Sequence, residues 1–341
     1  MHMRGRLLRA APWVIASLWA ATPLAAQSAS PPLPAPGRLV DLGGWRLHLH
    51  CSGVRAVAQP LVVLEAGAGD FSVDWSLVQP SVASFARVCS YDRAGTGWSD
   101  LGPRPRTMEQ IVWELHELLA RAGERAPYLL VGHSYGGALV RLYQRAYAAD
   151  VAGLVLVDAQ GDDPVRLMPG GKVGRSSDLA KGEPIPGVKT AGPLRESDVP
   201  QRIIAMIEPQ LRQMAPRAND PPRDLLPPDA QRMRTWTLGQ LKHALSNDNP
   251  VEAEELGLLR ADRAQSPHPL GDLPLVVLSR GRAEDDAAAE EGHRREQAEL
   301  VVLSRSGRQV VAERSGHHIP LQEPELVVAA IRDVLSATTR R

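Results

Sequence analysis

The stretch Leu129-Leu130-Val131-Gly132-His133-Ser134-Tyr135-Gly136-Gly137 constrains this chain more than any other. An apolar run short enough for a buried strand ends in a serine with glycine two residues before it and two after. The apolar positions that follow, Leu139, Leu142, Tyr143 and Ala146, recur at helical spacing. A backbone that turns from strand to helix in so few residues bends sharply enough for flanking side chains to collide, and the two glycines avoid this. The bend lifts the serine hydroxyl above a sheet edge and aims the N-terminal amides of the next helix at the same place.

The remaining sequence supplies such a sheet. Arg38–Leu42 and Trp45–Cys51 flank Gly43-Gly44 as an opening hairpin. Apolar runs at Leu61–Leu64, Val88–Tyr91, Tyr128–Val131 and Val151–Val157 are bounded by glycine or polar residues, as buried strands are. Helical patterns lie between most of them. One opens with Thr107 and Gln110 as a capping box, after which Ile111, Leu115, Leu118 and Leu119 share a face. The rhythm breaks at Gln160 and resumes at Leu275–Leu278, followed by a helical stretch (Ala287–Leu303), a short strand (Gln309–Ala312) and a last helix (Pro324–Ser336). The alternation predicts an α/β fold, a mostly parallel central sheet of about eight strands with helices on both faces.

The interruption, residues 160–269, is broken by Pro and Gly, contains no strand-like run, and reads as a helical lid inserted after the sixth strand. Ile204, Ile207, Leu211 and Met214 share a helical face there, and Asn249-Pro250 with Glu252 marks a helix start. The sheet-bearing core is then divided into residues 38–159 and 270–341, behind a Pro-rich linker at 29–37. Residues 1–28 predict an export signal: Arg4, Arg6 and Arg9 precede an apolar run from Ala10 to Leu24, then small residues through Ser28. Pro12 and Pro23 interrupt a run shorter than the roughly 20 residues that span a bilayer, so no stable membrane anchor is expected after cleavage. The expected location is periplasmic or extracellular. The pair Cys51 and Cys89 suits an oxidising compartment, and if their two strands pair antiparallel the sulfurs can meet; two buried thiols are the other possibility. Basic and acidic side chains number 39 each, which leaves no single-sign field to favour nucleic acid. Oligomeric state is not legible.

A serine hydroxyl becomes a nucleophile when a base takes its proton. Among ten histidines, His317 is favoured, because Ser315-Gly316-His317 follows the final short strand and so falls on a loop at the sheet edge that carries Ser134. His318 is the alternative. His48 and His50 lie two apart on one strand without an evident third ligand, which predicts a structural role and no metal; His133 is expected to pack inside the elbow. An acid must orient the imidazole. Asp158 directly follows the strand Val151–Val157 and gives the chain order Ser, Asp, His. Glu284, Asp285 and Asp286 after the next strand are alternatives, with Asp162 and Asp163 less favoured. For the oxyanion, the Tyr135 N–H is one donor and the turn Glu65-Ala66-Gly67-Ala68-Gly69 supplies the second, assigned to Ala68.

Together these residues resemble the α/β-hydrolase superfamily, and within it esterase-like members that carry a loop of the form Tyr91-Asp92-Arg93-Ala94-Gly95-Thr96-Gly97-Trp98-Ser99 and a closing Ser315-Gly316-His317-His318-Ile319-Pro320 with Pro324-Glu325. The resemblance runs from about Leu39 to the end, lid excepted, and implies that Asp92 and Arg93 hold a turn. Two positions depart from it. Relatives usually place His-Gly before the oxyanion donor where this chain has Ala66-Gly67, and the strand after the lid usually leads into Gly-x-x-Asp, whereas here Gly281 is followed by Glu284. The second departure favours Asp158. Serine rather than aspartate at the elbow disfavours dehalogenase and epoxide hydrolase chemistry. The implied reaction is hydrolysis of a small or medium apolar carboxylic ester through an acyl-enzyme, with no metal or organic cofactor. Peptidase, lactonase and C–C bond hydrolase activities use the same groups, and a non-catalytic binding scaffold is the alternative of another class.

Overall fold

The computed structural model describes residues 30–167, 173–175, 192–246, 249–284 and 287–338. The segment read as an export signal and the candidate acids Asp285 and Asp286 lie outside these residues. Eight strands form one sheet: β1 (Arg38–Asp41), β2 (Arg46–Ser52), β3 (Leu61–Glu65), β4 (Val88–Tyr91), β5 (Tyr128–His133), β6 (Val151–Val157), and, after the lid, the strands Leu275–Arg280 and Gly307–Ala312. The lid holds a two-stranded antiparallel hairpin, β7 (Val165–Leu167) with β8 (Val173–Arg175), so the later pair are β9 and β10. That hairpin corrects the expectation of an all-helical insertion. Its three-residue strands are too short to show a period-two pattern.

Sheet order is β1-β2-β4-β3-β5-β6-β9-β10, with β2 alone running against the others. Strand side chains alternate between two cores. Leu61, Val63, Leu130, Leu154, Leu156 and Val277 face one layer, packed under the helices α2 (Met108–Arg121) and α3 (Tyr135–Ala146). Val62, Leu64, Leu129, Val131, Val155 and Val157 face the other, against α1 (Gln79–Ala83) and the C-terminal helix Pro324–Thr338. Runs that read as continuous apolar sequence are therefore strands buried on both faces. Thr107 caps α2 by accepting the Gln110 N–H at 3.1 Å, but the Gln110 side chain turns to Glu114 instead of completing the box.

Antiparallel pairing of β2 with β4 puts Cys51 opposite Cys89, and a disulfide joins them. The Pro-rich stretch ahead of β1 docks on the core, where the Trp98 indole N–H donates to Leu33 O at 3.0 Å. The lid helices are α4 (Gln201–Met214), α5 (Pro228–Leu238), α6 (Leu241–Ala244) and α7 (Glu252–Gln265). In α4 the buried stripe is Ile203, Ile207 and Leu211, with Ile204 at its margin and Met214 exposed, so the face is rotated from the one expected. Helix α8 (Ala287–Val301) covers β9, and α9 (Ile319–Gln322) leads into α10 (Pro324–Thr338). Among the described residues no helix is long and apolar enough to cross a membrane.

Candidate active site

Ser134 sits between β5 and α3 at φ +53°, ψ −121°, a conformation a non-glycine residue adopts only under constraint. The constraint is visible. Its N–H donates to Val157 O at 3.1 Å, and its carbonyl accepts from Gly137 and Gln160, each at 2.9 Å. The motif glycines are fixed by crowding: a Cβ on Gly132 would run into the Gly136 carbonyl, and one on Gly136 would stand 2.5 Å from Glu65 O and 2.6 Å from Ala66 O. Helix α3 thus begins pressed onto the turn that follows β3.

That turn is held from beneath by Arg93. Its guanidinium donates to Glu65 Oε1 at 2.6 Å, to Ala66 O at 2.8 Å and to Gly67 O, while Tyr91 O–H donates to Glu65 Oε2 at 2.5 Å. In a trans peptide the N–H opposes the C=O, so with the Gly67 carbonyl turned onto Arg93 the Ala68 N–H points away from it. The turn abuts the serine: a Cβ on Gly67 would lie 3.4 Å from Ser134 Cβ and 3.0 Å from His133 Nδ1. Tyr135, the first residue of α3, has no intrahelical acceptor for its N–H. Asp92 holds its own loop, accepting from Ser72 N at 3.0 Å and Trp98 N at 2.9 Å. His48 Nδ1 lies 3.0 Å from the same carboxylate, which accounts for the buried His48 without a metal.

Parallel register sets His133 against Val157, so the residues that follow, Ser134 and Asp158, leave neighbouring strand ends together. Asp158 is buried at φ +40° and shares a 2.6 Å hydrogen bond between its Oδ2 and His317 Nδ1. Its Oδ1 accepts the Arg280 N–H at 3.0 Å and His293 Nε2–H at 2.8 Å. Burial alone would raise the Asp158 pKa; hydrogen bonds from His293 and His317 outweigh it and hold the acid well below the usual carboxylate range. Because a carboxylate only accepts, His317 donates from Nδ1, and in the neutral imidazole that leaves Nε2 as the acceptor.

The His317 loop is built by its neighbours. Ser315 Oγ donates to Glu323 at 2.7 Å, Gly316 N–H donates to Gln322 Oε1 at 2.9 Å, and His133 Nε2–H donates to the His317 carbonyl at 2.9 Å. The His133 and His317 rings are 4.8 Å apart, which puts the loop over the elbow. His133 is neutral, pushed down to about 4 by burial and the neighbouring His317; His318 is pushed down to about 3 by burial and His133. The alternative acid Glu284 lies against Gly316, makes no hydrogen bond to His317, and gives its N–H to Glu290 at 2.9 Å. At the end of β9 the group that reaches Asp158 is Arg280, whose Nη1 is 3.5 Å from Oδ2. Asp162 pairs with Arg141 and Arg263 instead.

Two positions were not singled out in the sequence. His293 lies on an inward stripe of α8 with Glu290 and Gln297, and the stripe is polar, which hid it from a search for apolar periodicity. Asp70 is shared by two lid arginines, Arg223 and Arg234, each 3.1 Å from Oδ1. Burial pushes the Asp70 acid up, and these guanidiniums overturn it to far below the ordinary range. Asp70, His133 and His318 bring potential ligand atoms within 4.8 Å of one another, yet the two guanidiniums on Asp70 oppose a cation there. The cavity they line with Gly67 and Trp75, about 10 Å³, has room for one water. A larger cleft of about 430 Å³ is walled by Asp162, Arg260, Arg263 and Glu299 and includes none of Ser134, Asp158 or His317.

Comparison with known proteins agrees with this fold. The sequence profile of the alpha/beta hydrolase family matches residues 61–330. The uncharacterized protein YqjL of Bacillus subtilis is 25% identical over 280 residues, covering 82% of this chain and 85% of that one. A probable transporter of Hormonema carpetanum, efuK, is 35% identical over 136 residues, but the match covers 38% of this chain and 20% of that protein. Among solved structures, the malate-bound esterase of Thermogutta terrifontis superimposes with a TM-score of 0.55 at 18% identity, covering 88% of this chain and 98% of that one. At that identity the likeness is one of fold.

Proposed function

Because the chain belongs to the α/β-hydrolase family, we propose that it is a serine hydrolase of carboxylic esters, with Ser134 as nucleophile, His317 as base and acid, and Asp158 as the acid that orients it. The observation that carries this reading is the 2.6 Å contact of Asp158 with His317 Nδ1, on a loop that lies over the elbow, which leaves Nε2 as the acceptor of the neutral imidazole. Ser134 Oγ attacks the ester carbonyl as its proton passes to His317 Nε2. The tetrahedral oxyanion is received by the N–H groups of Tyr135 and Ala68. Collapse expels the alcohol, protonated by His317, and leaves an acyl group on Ser134. Water, deprotonated by the same nitrogen, then releases the acid.

For substrate we propose a small or medium apolar ester, on the family membership and the apolar character of the lid, whose Leu226, Ala230 and Met233 are themselves packed against Phe71 and Trp98. The N-terminal basic and apolar pattern, together with the Cys51–Cys89 bridge, supports export to an oxidising compartment. Treatment with a fluorophosphonate should label Ser134, and Ser134→Ala should abolish both labelling and hydrolysis of a nitrophenyl ester series. A Ser134→Ala protein that hydrolyses those esters at the wild-type rate removes the proposal. Anilide, lactone and ester substrates compared in the same assay separate esterase from peptidase and lactonase activity.

A further inference from the structure

Two imidazoles converge on one carboxylate. His317 takes Oδ2 of Asp158, and His293, from the inward face of α8, takes Oδ1 at 2.8 Å. The Asp158 side chain is wholly excluded from solvent and that of His293 is 15% exposed, so water does not readily replace this contact. The same helix face makes two further bonds to this edge of the sheet: Glu290 accepts from Arg280 at 2.7 Å, and Gln297 donates to Ala159 O at 2.8 Å. A polar stripe this deep is costly where its members are unpaired, and His293, Glu290 and Gln297 each find a partner at or beside Asp158: the carboxylate itself, Arg280 and Ala159.

We infer that His293 is a positioning residue for the hydrolase, which completes the hydrogen bonding of Asp158 Oδ1 and thereby keeps Oδ2 aimed at His317 Nδ1. The inference rests on the proposed roles of Ser134, Asp158 and His317. Asp158 needs such support because its backbone at φ +40° is itself strained, so its side-chain direction depends on its partners. With the His293 N–H removed, Oδ1 keeps only the Arg280 amide. The carboxylate plane is then free to rotate away from His317, and small misplacements of this kind cost rate steeply.

The test compares His293→Leu, which removes the donor, with His293→Gln, which restores an N–H, in kcat, KM and the low-field proton resonance of His317 Nδ1–H. The expected result is a fall in kcat of roughly 10- to 100-fold in His293→Leu with KM nearly unchanged. The low-field resonance should shift or broaden, and His293→Gln should recover most of both. If His293→Leu does not melt cooperatively, His293→Met at similar volume carries the comparison. A folded variant without the donor that keeps wild-type kcat and an unmoved resonance overturns the inference, as does a Gln variant no better than Leu. The resonance is read without turnover, so it tests the coupling even if esters are not the substrate. Ser134→Ala and Asp158→Asn in the same assay report on the proposed function: wild-type rates in both would sink that reading, whatever His293 does.

Discussion

Replacing Asp158 by Asn keeps the volume of the side chain and removes its charge, and the surroundings dictate how the amide must turn. On the Oδ1 side stand two donors, the Arg280 backbone N–H at 3.0 Å and His293 Nε2–H at 2.8 Å. An NH₂ placed there would oppose an amide that cannot change sense, a penalty of about 1–3 kcal/mol for a buried donor left unpaired. The NH₂ therefore faces His317 and forces Nδ1 to accept, which moves the imidazole proton to Nε2, the atom proposed to take the Ser134 proton. A preference of that size puts the wrong tautomer in roughly 5- to 150-fold excess. Loss of the anion that stabilises the imidazolium adds to this. The combined expectation is a fall in kcat of about 10⁴, or about 5.5 kcal/mol, the size of the same change in serine proteases. The assay is steady-state hydrolysis of a nitrophenyl ester by Asp158→Asn, with Glu284→Gln alongside and thermal melting as the control for folding. A folded Asp158→Asn enzyme that retains more than about a tenth of the wild-type kcat refutes the tautomer reasoning, and a Glu284→Gln enzyme as slow as expected for Asp158→Asn would move the role to Glu284.

Acid should destabilise the fold before the low-pKa carboxylates titrate. His133 and His243 are each pushed down to about 4, mainly by burial, against about 6.5 in the unfolded chain, so below pH 6.5 the unfolded state binds protons that the folded state refuses. Stability is then full above pH 6.5 and falls by up to about 1.4 kcal/mol per pH unit for each histidine until about pH 4; urea unfolding at pH 7 and pH 5 measures it, and equal free energies at the two values contradict the assignment. Reduction of the Cys51–Cys89 bridge, whose ends are 38 residues apart, should lower the unfolding free energy by about 4 kcal/mol. The comparison is urea melts with and without reductant, with Cys51→Ala/Cys89→Ala as the chemical control, and an unchanged midpoint rules out a stabilising bridge.

What could be read from sequence followed the range of the physics involved. The elbow was legible because steric crowding at Gly132 and Gly136 acts over a few residues, and the strands because burial on both faces leaves unbroken apolar runs. His317 could be placed on a loop by counting elements, and Asp158 by its position at the end of an apolar run. The sequence favoured Asp158 and kept Glu284 as an alternative, since both follow strands. The structure sets Asp158 against His317 and turns Glu284 toward Gly316, with Arg280 at the end of β9. What stayed hidden was polar and distant: His293 reaches Asp158 across 135 positions, and Arg234 reaches Asp70 across 164. No local pattern records such pairings, because hydrogen-bonding side chains carry no periodicity that a window of sequence can detect. The rotated face of α4 and the short hairpin in the insertion escaped for the opposite reason, being local choices decided by the surface they meet.

The carboxylate that Arg223 and Arg234 share bears on attempts to redesign selectivity. Exchanging residues 160–269 for the cap of another hydrolase would remove both cations and strand Asp70 and Asp74 as buried, unneutralised acids beside the bend that follows β3. A graft that ignores this would be judged a poor fit for substrate when its actual fault is electrostatic. The modular unit for transplantation is thus larger than the insertion itself and has to travel with its two counter-acids, or with neutral replacements for them.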